Sequence, residues 1–308
     1  MPNNSGIIVN GGIRLSDIVL GTGGAVSSDE LMRLLDKYYD HGGRTVDTAR
    51  MYDQLGEKSE LVVGRWLRTR GVRDSVTVVT KGGFPRERMR YECLRDDIER
   101  SLDALGCTPD LYLLHRDDPA VPAGEFADIA DGFVRAGYAR AWGVSNWDNS
   151  RINQAEEYAR GHGKSVPSVS QIQWSLAETS GARIGDDTLV CMNGTRRAEY
   201  AQSGMPLMAF SSQAKGFFSK YASGTPFSDK VNARFVSDEN LARAERVKQL
   251  SNQLGVSAAA VALSYILSSG LSAVAVVGCL SEQQLADSMT ADGMRLSAEQ
   301  VKRLEGAE

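Results

Sequence analysis

The sequence predicts an α/β fold, a closed (β/α)8 TIM barrel, and two features of the chain support this prediction. Eight short runs of β-branched and bulky apolar residues alternate with segments that have the apolar spacing of amphipathic helices. The chain has 308 residues, and barrels of this class often run past about 250 residues as one unit. We therefore expect residues 1–308 to form a single barrel domain.

The eight apolar runs are the predicted strands, because strands of a parallel sheet are buried on both faces. In chain order they are Ile18–Leu20, Thr45–Val46, Val76–Thr80, Leu111–Leu114, Ala141–Val144, Val169–Gln173, Leu207–Phe210 and Val274–Val277. Helices are predicted between them; residues 94–105, for example, carry leucine and isoleucine at helical spacing before Gly106. Residues 256–267 form a denser apolar helix, with Ser257 as its N-cap.

An open, doubly wound sheet is the alternative fold. Such a sheet usually carries a G-x-G-x-x-G turn after its first strand, with an acidic residue further on for the ribose. Here Gly21-Thr22-Gly23-Gly24 follows the first strand without completing that pattern. The barrel is therefore the preferred prediction.

Two segments depart from the regular alternation. Ile7–Val9 and Ile13–Leu15, on either side of Gly11-Gly12, predict a β-hairpin before the first strand, which we interpret as a plug at the barrel floor. Ser211–Glu239, after the seventh strand, is predicted as a long polar loop. Loops of this length are uncommon unless they have a function, so we interpret it as a lid over a ligand, with a surface excursion as the alternative.

Composition argues against several classes of function. The net charge is −4, whereas proteins that bind nucleic acid usually show a basic excess. The four cysteines have no C-x-x-C spacing, so neither a zinc site, a redox pair nor a disulfide framework is expected, and a reducing, cytoplasmic setting fits. No apolar run reaches roughly 18 residues, so we expect no membrane partner. The sequence does not indicate an oligomeric state.

Polar side chains mark the ends of three consecutive predicted strands. Asp47 ends the second strand, Lys81 the third and His115 the fourth, while Tyr52 follows five residues after Asp47. Active sites of (β/α)8 barrels lie where the carboxyl ends of the strands meet. Each residue taken singly has a structural interpretation, such as a helix cap or an ion pair. Together, the four predict a catalytic site.

This set of residue types suits carbonyl reduction. A phenol has a pKa of about 10 and is a weak proton donor at neutral pH unless its anion is stabilised. A lysine ammonium beside the phenol stabilises that anion, and a carboxylate keeps the buried ammonium charged. A neighbouring histidine can bond the substrate oxygen or relay a proton. Neither a G-x-S-x-G nor an H-E-x-x-H metal motif is present, so no metal site is expected.

The chain resembles the aldo-keto reductase family from Gly6 to Ser288. The motifs that carry the resemblance include Gly21-Thr22-Gly23, residues 46–52, Thr80-Lys81, Leu114-His115, Gly143-Val144-Ser145-Asn146, Gln171 and residues 278–288. The resemblance implies a catalytic tetrad of Asp47, Tyr52, Lys81 and His115.

The resemblance also implies a nicotinamide cofactor. Ser145, Asn146 and Gln171 would bind the carboxamide, and Phe210 would stack on the nicotinamide ring where relatives usually have tyrosine. Ser211 and Gly216 would begin a loop over the pyrophosphate. The remaining implied cofactor positions, several of them near the adenosine, are Gly21, Thr22, Gly278, Ser281, Gln284 and Ser288.

The resemblance favours NADP, with NAD as the alternative. Relatives often hold the 2′-phosphate with an arginine, but that position carries Gln284 here, and Ser288 replaces a frequent asparagine. Lys215, Lys220 and Arg234 in the predicted lid are candidates to replace the missing cation.

The predicted function is NAD(P)H-dependent reduction of a small aldehyde or ketone to an alcohol, with Tyr52 as proton donor. The charged residues 116–118 are compatible with a sugar-like substrate or with ordinary loop solvation, and Tyr91, Trp147 and Trp174 are candidates to line the pocket. One alternative is a nicotinamide-binding sensor with little turnover, as in potassium-channel β subunits. Another is a barrel isomerase or hydrolase that uses no nicotinamide.

Overall fold

The computed structural model describes residues 5–24 and 26–306, and it contains the predicted closed barrel of eight parallel strands. The strands in chain order are β1 (Ile7–Val9), β2 (Ile13–Leu15), β3 (Ile18–Gly21), β4 (Thr45–Asp47), β5 (Asp53–Gln54), β6 (Glu57–Lys58), β7 (Thr77–Gly82), β8 (Leu111–Leu114), β9 (Ala141–Ser145), β10 (Ser170–Gln173), β11 (Leu207–Phe210) and β12 (Ala273–Val277). The barrel consists of β3, β4 and β7 to β12 in that order.

Helices surround the barrel. In chain order they are α1 (Ser28–Asp40), α2 (Ser59–Arg70), α3 (Tyr91–Leu105), α4 (Ala123–Arg135), α5 (Asn149–Gly161), α6 (Gly181–Ile184), α7 (Gly194–Ser203), α8 (Phe217–Ser223), α9 (Asp229–Phe235), α10 (Asp238–Leu254), α11 (Ala258–Leu267), α12 (Glu282–Met289) and α13 (Ala298–Glu305). Two predicted helix ends are confirmed, and local residues account for them. Helix α3 stops at Gly106, whose φ of 66° suits glycine, and Ser257 caps α11 by accepting the Ala260 N–H at 3.1 Å.

Pairing of the last barrel strand with the first closes the sheet. Val276 of β12 lies opposite Val19 of β3, so no strand edge is left open and the doubly wound alternative is wrong. All eight predicted apolar runs are barrel strands. Their boundaries differ by one or two residues, most at β7, which continues through Lys81 and Gly82.

The predicted N-terminal hairpin packs against the barrel interior. Val9, Ile13 and Leu15 are buried in one apolar cluster with inward-facing strand residues such as Val79 and Leu113. The hairpin turns through residues 10–12, and both glycines there adopt left-handed φ values. This packing supports the interpretation of the hairpin as a plug.

The long segment after β11 is present but is helical for much of its length. It contains a short 3-10 turn, Ala214–Gly216, followed by α8, α9 and the start of α10. Phe217 and Phe235 anchor it, because both are buried in the core. The apolar residues that pack these short helices against the core are interspersed among polar ones. The sequence pattern of the segment therefore predicts a loop.

In the described part of the chain, no single helix is long and apolar enough to span a membrane. The pair α10 and α11 meets these criteria of length and composition jointly, although a bend of 101° separates the two helices.

Candidate active site

The carboxyl ends of β4, β7 and β8 bring three predicted catalytic residues together. Asp47 of β4 lies opposite Val79 of β7, and Lys81 of β7 lies opposite Leu113 of β8. Side chains two residues apart on a strand share a face, so Lys81 points into the barrel as Val79 does. His115 follows β8 directly, and its backbone N–H donates to the Gly82 carbonyl at 2.8 Å.

The Lys81 ammonium contacts two of the other predicted catalytic residues. It is fully buried and donates to Asp47 Oδ2 at 2.7 Å, to the Thr48 carbonyl at 2.8 Å and to Tyr52 Oη at 3.4 Å. An ammonium has three donors, and these contacts use all of them. Burial lowers the pKa of Lys81, but the Asp47 carboxylate and the Tyr52 oxygen outweigh it, so the net pKa is raised and the ammonium stays charged.

Asp47 is held from the opposite side of the barrel. Gln171, at the second position of β10, donates its side-chain amide to Asp47 Oδ1 at 2.9 Å. Both carboxylate oxygens therefore have a donor, as a buried charge requires. The sequence predicts Gln171 only as a residue that binds the cofactor. It does not predict the hydrogen bond to Asp47.

Tyr52 lies in the loop after β4 with its hydroxyl at Lys81. Its ring meets the His115 ring edge-on, with centroids 6.0 Å apart and planes at 82°. A Cβ atom built on Gly23 would lie 3.1 Å from Tyr52 Cζ, which is tighter than usual packing. Glycine at position 23 thus leaves room for the phenol, a role that the Gly21-Thr22-Gly23 motif did not reveal.

His115 is a buried neutral imidazole. Burial, with smaller contributions from the charges of Lys81 and Arg116, holds its pKa well below the usual range. Within residues 5–24 and 26–306 its Nδ1 atom has no hydrogen-bond partner. A buried polar atom without a partner is costly, so this nitrogen is available to a hydrogen-bonding ligand.

Four predicted nicotinamide-binding residues lie together at the ends of β9, β10 and β11. Ser145 and Gln171 are register partners, and the Asn146 N–H donates to the Gln171 carbonyl at 3.0 Å. Asn146 adopts a left-handed φ of 60°, which asparagine tolerates better than most residues, and its side chain bonds Ser145 Oγ at 3.0 Å. Phe210, the last residue of β11, is partly buried beside them.

The backbone after β11 is locally strained. Ser211 has a φ of 53°, and the three successive residues Ala214, Lys215 and Gly216 have φ values of 47°, 54° and 77°. Left-handed conformation costs roughly 1–2 kcal/mol for each residue with a Cβ atom. Strain of this kind is concentrated at ligand sites, which supports the prediction of a binding role for Ser211 and Gly216.

The predicted adenosine-end residues differ in their surroundings. Ser281 caps α12 by accepting the Gln284 N–H at 3.3 Å, and a Cβ atom on Gly278 would have open space around it. Ser288, in contrast, is fully buried, and its hydroxyl accepts the side-chain amide of Gln213 at 2.9 Å. That contact joins α12 to the segment after β11, so a structural role for Ser288 is established, whereas its cofactor role stays a prediction.

Gly21 and Thr22 support the site from the barrel wall. A Cβ atom on Gly21 would lie 2.9 Å from Val276 Cγ1, and the Thr22 N–H donates to the Asp47 carbonyl at 2.9 Å. Thr22 is buried. These contacts fix the backbone that carries Asp47, while the predicted cofactor contacts of both residues stay predictions.

One of the aromatic residues suggested for the pocket, Trp147, lies elsewhere. Trp147 is fully buried and donates to the Arg116 carbonyl at 2.9 Å, so its placement in the pocket is wrong. A cavity of about 270 Å3 opens beside Lys81 and His115, and its apolar lining comes from Met51 and Phe84. Phe84 follows β7 and packs against His115 with ring centroids 5.6 Å apart.

The charged residues after His115 have partners within the protein. Arg116 contacts Thr188 at 2.7 Å and Asp186 at 3.3 Å, and Arg151 contacts Asp117 at 2.9 Å. These contacts favour a structural role over sugar binding.

Comparison with known proteins identifies the family. The model of the aldo/keto reductase family matches residues 8–308. A norsolorinic acid reductase of Emericella nidulans is 27% identical, with 96% of this chain and 78% of that protein covered. A Saccharomyces cerevisiae protein with the provisional name aryl-alcohol dehydrogenase is 24% identical, with coverages of 97% and 82%. A crystal structure of an aldo/keto reductase from Klebsiella pneumoniae in complex with NADP and acetate has a TM-score of 0.72 at 23% identity and covers 99% of this chain and 96% of that one.

The chain therefore belongs to the aldo/keto reductase family. It is an NAD(P)-dependent oxidoreductase of that family.

Proposed function

We propose that the protein reduces an aldehyde or ketone to an alcohol, with NADPH as its preferred cofactor and Tyr52 as the proton donor. The observation that carries the proposal is the fully buried Lys81 ammonium in contact with both Asp47 and Tyr52. A nicotinamide cofactor, when bound, supplies the hydride. The protein's own groups supply position, charge and the proton.

Each member of the tetrad has one task. The Tyr52 hydroxyl passes its proton from Oη to the carbonyl oxygen, and the ammonium of Lys81 stabilises the phenolate left behind. Asp47 keeps that ammonium charged and in place. The neutral imidazole of His115 donates an N–H to the carbonyl oxygen and so aligns it with the phenol. These roles use groups whose positions are fixed by three neighbouring strands.

The cofactor preference rests on three cations after β11. Lys215 is exposed there, yet partial desolvation and the charges of Arg234 and Lys230 lower its pKa. Cations that repel one another favour an anion bound among them. The 2′-phosphate of NADP is such an anion, and the solved relative from Klebsiella pneumoniae binds NADP. The strained backbone at residues 214–216 fits the same role.

Two apolar side chains in the otherwise charged wall of the cavity can pack against the aromatic or alkyl part of a carbonyl substrate. Met51 and Phe84 line the cavity next to His115. The provisional name of the Saccharomyces cerevisiae relative refers to aryl alcohols, which are products of aryl aldehyde reduction.

The test is an activity and binding screen of the wild-type protein. We expect NADPH to quench tryptophan fluorescence and to be oxidised in the presence of aryl aldehydes, with NADH less effective. Binding without turnover across aldehydes, ketones and sugars would support the sensor alternative, and the absence of binding would support a barrel enzyme that uses no nicotinamide. Replacing Lys215 by Met should raise the KM for NADPH by about tenfold and leave that for NADH unchanged, as loss of one phosphate contact predicts.

A further inference from the structure

The wall of the cavity beside the tetrad contains five cations and two carboxylates. It lies at the carboxyl end of β7, and Lys81 and His115 form part of its wall. The further charged residues of the wall are the cations Arg50, Lys58, Arg88 and Arg100 and the carboxylates Asp96 and Asp97. Cations in a cleft attract anionic ligands where their own counter-ions are distant.

Two of the cations are already neutralised. Arg88 contacts Asp97 Oδ1 at 2.6 Å and Asp96 Oδ2 at 3.2 Å, and Arg100 contacts Asp96 Oδ1 at 2.8 Å. Asp97 also accepts the Gly83 N–H at 2.8 Å. Arg88 and Arg100 therefore pair with carboxylates of the same wall. Arg50 and Lys58 remain as the cations that can bind a ligand.

Arg50 has a distant partner. Its Nη1 atom lies 3.5 Å from Glu60 Oε2, and its side chain is 22% exposed. Glu60 is fully buried and accepts the Thr80 hydroxyl at 2.6 Å; burial raises its pKa against these hydrogen bonds. Within the described residues the Arg50 side chain makes no other hydrogen bond, so most of its five donors are unused. Lys58 is similar, because its contact with Asp53 is 3.6 Å long.

The position of Arg50 is fixed by the catalytic motif itself. It stands between Asp47 and Tyr52 in sequence, and its backbone N–H donates to the Lys81 carbonyl at 2.9 Å. The residue whose ammonium contacts Asp47 and Tyr52 therefore also anchors the backbone of Arg50. The guanidinium is held near the reacting groups by the loop that holds the phenol.

We infer that Arg50, assisted by Lys58, binds a carboxylate on the substrate, so that the preferred substrates are carbonyl compounds with an anionic carboxylate away from the reacting carbonyl. A guanidinium fork matches a carboxylate in a bidentate pair. Met51 and Phe84 provide apolar walls for the aryl or alkyl part between the two groups. This inference rests on the proposed carbonyl reduction at Tyr52.

The experiment compares two aldehydes of similar shape, 4-carboxybenzaldehyde and its neutral amide, 4-formylbenzamide. We expect the wild-type enzyme to prefer the carboxylate in kcat/KM. The preference ratio should fall by about 10- to 100-fold in Arg50→Gln, mainly through KM, as loss of a charge-assisted hydrogen bond predicts. Arg50→Lys should restore part of the ratio. Arg33→Gln removes the same charge from the exposed side of α1 and should leave the ratio unchanged.

Two outcomes would overturn the inference and leave the proposed function intact. They are a wild-type enzyme with no preference for the carboxylate, and an Arg50→Gln variant that loses both activities equally. If neither aldehyde is turned over, the aryl aldehyde part of the proposed function fails on its own. Binding of 4-(hydroxymethyl)benzoate to the NADP complex then remains a test, and equal affinity in wild type and Arg50→Gln would overturn the carboxylate site.

Discussion

Replacement of Lys81 by Met is expected to destabilise the protein as well as inactivate it. Methionine keeps most of the side-chain volume but removes an ammonium that is fully buried and 2.7 Å from Asp47, whose side chain is 3% exposed. The substitution would leave a carboxylate buried without its counter-ion. Removing one partner of a buried ion pair typically costs about 3–5 kcal/mol, and we expect the free energy of unfolding to fall by that amount.

A double-mutant cycle separates this cause from simple loss of packing. Asp47→Asn removes the charge of the carboxylate and keeps an oxygen that can accept from Gln171. The double variant Lys81→Met, Asp47→Asn should therefore be more stable than Lys81→Met alone by about 2 kcal/mol, because it leaves no buried charge without a counter-ion.

Urea unfolding followed by circular dichroism and tryptophan fluorescence measures these differences, provided that the two signals change together. A loss below about 1 kcal/mol for Lys81→Met, or additive effects in the double variant, would refute the view that Asp47 and Lys81 are a buried, charged pair.

Two further predictions follow from the surroundings of His115 and Tyr52. Because burial lowers the pKa of His115, the unfolded chain takes up a proton below about pH 6.5 while the folded protein does not, so stability is lost as the pH falls. Between pH 7.5 and about pH 5.5 the wild type should lose about 1.4 kcal/mol more than His115→Gln in urea unfolding, and parallel curves would contradict the assignment. Gly23→Ala should displace the Tyr52 ring and lower kcat by about tenfold, whereas Gly24→Ala, whose new Cβ atom meets Leu280 at an ordinary 3.6 Å, should not; equal effects would exclude this cause.

The strand positions were predictable because burial on both faces leaves a plain apolar signal. The same signal misplaced the end of β7, which was predicted to stop at Thr80 but runs through Gly82. Lys81 is polar and yet wholly buried in the strand, since a carboxylate from β4 neutralises it. The sequence around residue 81 gives no indication of this ion pair, because the partner lies on a different strand.

The tetrad was predictable from its position at strand ends, whereas the cavity was not. Trp147 follows the Ser145-Asn146 motif but turns into the core, and Phe84, which carried no sequence signal, packs on His115. Arg50 stands inside a recognisable motif, yet only the fold shows that its side chain faces the cavity. The orientation of these side chains depends on packing between distant segments.

Substitution of Tyr52 by Phe removes the hydroxyl proposed as the proton donor and keeps the ring, and Tyr39→Phe on the outer helix α1 is the matched control. We expect Tyr52→Phe to bind NADPH with wild-type affinity and to lose about 100- to 10,000-fold in kcat for an aryl aldehyde, because only the proton donor is removed. The Tyr39 variant should keep wild-type turnover. Wild-type kcat in Tyr52→Phe would contradict the assignment of this phenol as the acid.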